Sequence, residues 1–186
     1  VSDKQILFKP RMVNAIRDGI KTQTRRVFTK GRCPYGPAGR MLWVRETWRP
    51  VEGWDDASPS KIPAGEPLEY LSDKLRDPDY NPLYDYGTWR PSIFMPRWAS
   101  RLRLRVTDDR VERLDDISDD DCLAEGIEAL ADTCLFGKTD GPTSLEFIRA
   151  HPRLCFLKLW NDINEKRGYG LSADPTVWVV RFEVMK

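Results

Sequence analysis

The sequence predicts an α+β fold, a small mixed β-barrel with peripheral helices and a long irregular insertion. Three observations carry this. Strand and helix signals interleave, but the helices are too few and too irregular for a doubly wound parallel sheet. Arg101-Leu-Arg-Leu-Arg-Val106 alternates cleanly, as a strand with one wet face does. Residues 50–95 carry Pro, Gly, Asp and isolated aromatics with no sustained period of 2 or 3.6.

Ile6, Leu7 and Phe8 read as a short strand. Pro10 suits the first turn of a following helix with Val13 and Ile16 on one face, and Gly19 is a plausible stop. Beyond a Gly/Pro-rich turn, residues 41–48 (MLWVRETW) look like a buried strand interrupted by Arg45 and Glu46. The stretch 50–95 is expected to fold over the core as an insertion, because its Trp and Tyr content argues against disorder. Ser118-x-x-Asp121 is a capping-box variant that opens a short helix reaching Glu125 and stopped by Gly126. Residues 127–142 read as a second irregular loop. Thr143-x-x-Glu146 opens another helix, Pro152 breaks or restarts it, and Leu157, Trp160 and Ile163 continue an apolar face. Residues 177–184 (VWVVRFEV) suit a central strand. The whole, 1–186, is expected to form one domain.

Charged residues make up 32% and hydrophobic residues 40% of the 186 positions, a globular balance. No apolar run approaches the roughly 20 residues of a membrane span, and the N-terminus lacks the order of a secretory signal, so a cytoplasmic protein with no membrane partner is expected. Cys33, Cys122, Cys134 and Cys155 form no C-x-x-C pair, and His151 is the sole histidine. No metal and no other cofactor is therefore expected. A net charge of +1 supplies no global field for nucleic acid, although arginine outnumbers lysine two to one and is the better planar partner for phosphate and base edges.

The stretch GIKTQTRR, from Gly19 to Arg26, admits two readings. One is a solvated turn after a helix. The other is a reacting site, in which the Thr24 hydroxyl needs a base within hydrogen-bond reach and Lys21 is the nearest candidate. To act as a base near neutral pH, Lys21 must lose about 3 pKa units, roughly 4 kcal/mol; otherwise it stays an ammonium and polarises a carbonyl or holds an oxyanion. Spacing alone does not say whether Lys21 and Thr24 face the same way.

The segments ILFKPRMVNAIRDGIKTQTRR, MLWVRETW, MPRWASRLRLRVTDDRVERLDDIS, the AEG at 124–126 and the closing LWNDINEKRGYG…WVVRF together resemble the ASCH domain family, with its PUA-like β-barrel. The chain is most similar to the longer members found in bacteriophages and prophages. The most specific feature is G-x-K-x-x-T-x-R, met by Gly19, Lys21, Thr24 and Arg26. The resemblance implies an amidohydrolase of the kind that deacetylates N4-acetylcytidine, with Lys21, Thr24 and Glu125 as catalytic residues and no metal. Glu125 otherwise reads as a helix-end carboxylate paired with an arginine.

A nucleobase needs a flat wall and a few directional donors. Arg26, Glu46, Trp48, Arg97 and Trp98 are the candidates for substrate binding. Glu46, charged in an apolar strand, needs a partner, with Arg45 or Arg26 as the alternatives to a ligand. Trp160 and Trp178 read as core. The expected partner is a modified nucleoside, or RNA in the rival reading of a PUA-like binding module with ribonuclease activity.

Overall fold

The computed structural model describes residues 3–77, 79–133, 135–136 and 141–185. Five strands form the main sheet: β1 (Lys4–Leu7), β2 (Gln23–Val27), β3 (Met41–Arg45), β6 (Arg103–Arg113) and β7 (Thr176–Met185), in the order β1-β3-β6-β7-β2. β1 runs parallel to β3 and the other pairs are antiparallel. Among the described residues no ladder joins β2 back to β1, so the sheet is mixed as expected, without a pairing that closes it into a barrel.

Around it stand α1 (Pro10–Arg17), α3 (Asp119–Ala124), α4 (Leu145–Ala150) and α5 (Pro152–Asn164). α1 begins on Pro10, whose missing N–H costs nothing in a first turn, and buries Val13, Ala15 and Ile16. It ends in a Schellman pattern: Gly19, at φ +74°, donates to Ile16 O at 3.1 Å and Ile20 donates to Ala15 O at 2.9 Å. α3 is capped by Ser118, whose Oγ accepts from the Asp121 N–H at 3.1 Å. α4 is capped by Ser144 rather than by Thr143, and α5 starts afresh at Pro152.

β7 is the axis of the sheet. Trp178, Val180 and Phe182 join a core with Ile6, Val13, Leu42 and Leu104, while Val177 and Val179 join a second with Ile127, Ile148, Phe156 and Trp160. Such a strand, buried on both faces, reads as a continuous apolar run. The arginine face of β6 is as expected: Arg103 and Arg105 are exposed, Leu104 and Val106 buried.

Two expectations need correction. The strand read over 41–48 is two strands, because the chain turns at Glu46 and Thr47. β4 (Trp48–Pro50) leaves the main sheet and pairs with β5 (Leu68–Tyr70), with α2 (Leu71–Arg76) directly after it. The insertion therefore carries regular structure and its own small core of Trp48, Ile62, Met95 and Ala99. It docks on α1 through its helix: Asn14 Nδ2 donates to Ser72 O at 2.8 Å, Arg17 pairs with Asp73 at 2.6 Å, and Arg76 with Asp18 at 2.7 Å. The loop expected over 127–142 begins with a 3-10 turn at Ile127–Leu130, and part of it, with Cys134, lies outside the described residues. Cys33, Cys122 and Cys155 are buried and unpaired.

Leu104 is fully buried where β6 meets the first core. Leu104→Ala is expected to lower the unfolding free energy by about 2–5 kcal/mol, measured by denaturant titration.

Candidate functional site

The stretch after α1 opens with an exposed turn at Gly19, and Ile20 and Thr22 are also exposed, but its other side chains are withdrawn from solvent. Residues 23–27 form the edge strand β2, and Lys21, Gln23, Thr24 and Arg25 are all buried. Phe182 N–H donates to Thr22 O and Phe28 N–H to Thr176 O, so the even-numbered residues hydrogen-bond to β7. By the alternation of an antiparallel ladder, the carbonyls of Gln23 and Arg25 point to the free edge. Side chains satisfy both: Lys21 Nζ donates to Gln23 O at 2.8 Å and Arg26 to Arg25 O at 3.0 Å. In register, Thr24 lies opposite Val180, Arg26 opposite Trp178 and Arg25 opposite Val179. Thr24 and Arg26 therefore share one face of the sheet, with Arg25 on the other.

The start of β2 is pinned to the end of α3. Thr22 N–H donates to Ala124 O at 2.9 Å and Gln23 Nε2 to Asp121 O at 2.9 Å. Gly126 makes this approach possible: its φ is +80°, and a Cβ there would lie 2.7 Å from that of Lys21. Lys21 Nζ thus reaches Glu125 twice, its carbonyl at 2.7 Å and its Oε2 at 2.9 Å. With Gln23 O that makes three acceptors, which need the three hydrogens of an ammonium. Burial pushes Lys21 below the usual lysine value, with Glu125 opposing and Arg26 and Arg25 adding to the fall.

The second Glu125 oxygen accepts from Arg25 NH1 at 3.1 Å. Arg25 also pairs with Glu112 and, at 2.8 Å, with Asp121. Burial disfavours its charge, but Glu125 and Glu112 more than offset that and raise its pKa. Burial would likewise raise the Asp121 carboxyl, yet the hydrogen bond and charge of Arg25 hold it below the ordinary value. The Thr24 hydroxyl oxygen accepts from Arg26 NH1 at 2.6 Å. Among the described residues no hydrogen bond joins it to Lys21.

These groups open on one cavity of about 860 Å³, lined by Lys21, Thr24, Arg25, Arg26 and Glu125 among others. Phe8, Tyr35, Phe156 and Trp160 supply aromatic wall, and Leu71 and Leu75 of α2 form part of the rim. The cavity is within the size range of small-molecule sites. Lys21 and Arg26 stand over the Phe8 ring, 5.6 and 5.4 Å from its centroid.

Of the expected site residues, the structure brings together Lys21, Thr24, Glu125 and Arg26. It does not bring Glu46, Trp48, Arg97 or Trp98 to the cavity. Trp48 is fully buried in the insertion core, beneath Arg90, with no hydrogen bond to its Nε1. Trp98 packs against the same core, and Arg97 is exposed and pairs with Asp3 at 2.6 Å. The chain leaves the main sheet after β3, and this takes Trp48 onto the insertion core. Glu46 is matched by Arg101 at 3.0 Å and by Ser72 Oγ, not by Arg45 or Arg26. Trp178 is core as expected, whereas Trp160 is both core and cavity wall. Arg25, Phe8, Tyr35 and Phe156 are among the cavity residues that sequence reasoning did not assign. For the three aromatics the one available signal was the apolar pattern, which core residues share; Arg25 carried none, since its burial comes from the ion network.

Among the described residues no group of His, Cys, Asp and Glu is placed to hold a metal, and no helix is long and apolar enough to cross a membrane. His151 is exposed and rests on Phe147, with 4.7 Å between ring centroids.

The chain matches no family model and no curated protein. Among solved structures it is similar to a protein from Enterococcus faecalis described under the family model DUF984, with a TM-score of 0.47 and 11% identity over 99% of this chain and 76% of that one. An ASCH domain from Lactobacillus crispatus gives a TM-score of 0.40 and 12% identity, over 93% of this chain and 69% of that one.

Glu125→Gln leaves two buried cations short of a counter-charge and is expected to lower stability by about 3–5 kcal/mol, measured by denaturant titration. A carboxyl held below its ordinary value adds stability that is complete above that value and is lost as pH falls through the lower folded-state value. The melting temperature should therefore fall steeply below about pH 4. In Asp121→Asn it should start lower at neutral pH and fall less steeply.

Proposed function

We propose that the chain is an ASCH-type amidohydrolase with a PUA-like fold, removing the acyl group from N4-acetylcytidine or a related modified nucleoside. The observation that carries this reading is the meeting of Lys21, Thr24, Arg26 and Glu125, distant in sequence, on one cavity with an aromatic wall. Such a wall suits a flat base, and the polar groups gather at one place on it.

Thr24 is the nucleophile. Arg26, donating to its oxygen, favours the alkoxide. Lys21 has no lone pair to offer in the resting arrangement. Moving the shared proton from Nζ to Glu125 Oε2 leaves a neutral amine and a carboxylic acid, and burial, which lowers the pKa of Lys21, favours the neutral amine. The freed amine takes the Thr24 proton as the oxygen attacks the amide carbonyl, whose π electrons move to its own oxygen. Collapse of the tetrahedral adduct expels the N4 amine, which receives its proton from Glu125. Water then attacks the threonyl ester. Glu125 accepts a proton from that water, Lys21 returns one to Thr24, and a carboxylic acid leaves.

The rival reading, a PUA-like RNA-binding module, draws support from Arg11, Arg26 and Arg167, which line the cavity and face no carboxylate among the described residues. The two differ at Thr24. Purified protein incubated with N4-acetylcytidine should release cytidine, Thr24→Ala should lose this by several orders of magnitude, and Thr24→Ser should retain a fraction. Absence of turnover by the wild type at high enzyme concentration overturns the hydrolase.

A further inference from the structure

The mouth of the cavity carries charge that acyl transfer does not explain. Most arginines of the chain stand against a carboxylate, as Arg17 does against Asp73, Arg76 against Asp18 and Arg149 against Glu128. Among the described residues, Arg11, Arg26, Arg32, Arg45, Arg90 and Arg167 have no such partner; Arg45 and Arg90 donate to neutral acceptors elsewhere, and Arg11, Arg26 and Arg167 line the cavity together with Lys9. Arg26 is half-buried and donates to neutral acceptors, the Thr24 hydroxyl and the carbonyls of Arg25 and Leu7. Arg167 touches Asn164 Oδ1 at 3.3 Å. Arg11 makes no hydrogen bond through its side chain to any described residue.

The deeper wall differs. There Lys21 and Arg25 are matched by Glu125, Glu112 and Asp121. The cavity is thus electrically balanced at its base and cationic at its opening. Lys9 and Arg11 also sit at the start of α1, whose first turn holds no acidic residue. Cations are disfavoured at that end of a helix, so local helix stability does not account for them. A planar guanidinium matches a phosphate by paired hydrogen bonds.

We propose that the cavity takes a nucleoside monophosphate, with Arg11 and Arg167 holding the phosphate at the mouth and the base lying inward against the aromatic wall. This rests on the reading of the cavity as a nucleoside site. A single phosphate fits better than a strand for two reasons. A net charge of +1 provides no extended field for a polyanion, and the helix of the insertion borders the opening with Leu71 and Leu75.

Calorimetric titration of the full chain at low ionic strength with cytidine, cytidine 5′-monophosphate and a pentacytidylate tests this apart from catalysis. The monophosphate should bind at least about tenfold more tightly than cytidine, a weak-to-moderate gain for one charge-assisted contact. The Arg11→Gln/Arg167→Gln double variant should abolish that difference while leaving cytidine binding and melting temperature unchanged. Equal affinity for the two ligands, a preference that survives in the double variant, or binding of neither overturns the proposal. So does tighter binding of the pentacytidylate with a steep fall in log affinity against log salt, which marks a strand as the ligand. If N4-acetylcytidine is not turned over but the phosphate preference holds, the hydrolase alone fails. Turnover without the preference removes only the phosphate site.

Discussion

The contact between Lys21 and Glu125 is the interaction on which the remainder of this structure depends. Each group is nearly withdrawn from water, and two such charges repay their desolvation only when every remaining valence is met. Here they are met. The ammonium has three oxygen acceptors, and the carboxylate has a cation on each oxygen. The pair ties the chain after α1 to the end of α3, elements separated by about a hundred residues, and in doing so sets the floor of the cavity.

The same residues solve a problem of the fold. β2 is an edge strand, and an exposed edge invites pairing with another chain. The outward carbonyls of Gln23 and Arg25 are taken by Lys21 and Arg26, so this part of the open edge becomes a wall of polar side chains. A chain that spends its edge in this way needs no further strand beside β2, and space remains there for a ligand. The acidic groups around Arg25 hold its charge on the other face of β2, apart from Thr24 and Arg26.

Where local chemistry decides an element, the sequence is legible. Pro10, Val13, Ile16 and Gly19 announce α1, Ser118 announces α3, and the apolar run of β7 follows from burial on both faces. β2 is not legible, because Gln23, Thr24, Arg25 and Arg26 show no apolar period: their burial comes from an ion network assembled by distant residues. Glu46 in an apolar strand correctly signals a need for a partner. Arg101, 55 residues away, is a partner that only the tertiary fold supplies. In the site, Lys21, Thr24, Arg26 and Glu125 came through resemblance of short motifs. Trp48 and Trp98 belong to the separate core of the insertion, and Arg97 is exposed and paired with Asp3. Phe8, Phe156 and Trp160 are hidden, since a cavity wall and a core present the same apolar pattern.

The close approach of Gly126 to Lys21 sets a limit on how this architecture can drift. α3 is a short helix whose last turn aims Glu125 at a fixed target, and each residue of a helix advances the azimuth by about 100°. Insertion or loss of one residue between Ser118 and Glu125 would swing the carboxylate out of reach, while the left-handed step at Gly126 prevents the following chain from compensating. The length of α3 is therefore as much a part of the site as the identity of the side chains, and length variation should collect in the insertion instead, where β4 and β5 keep their own core.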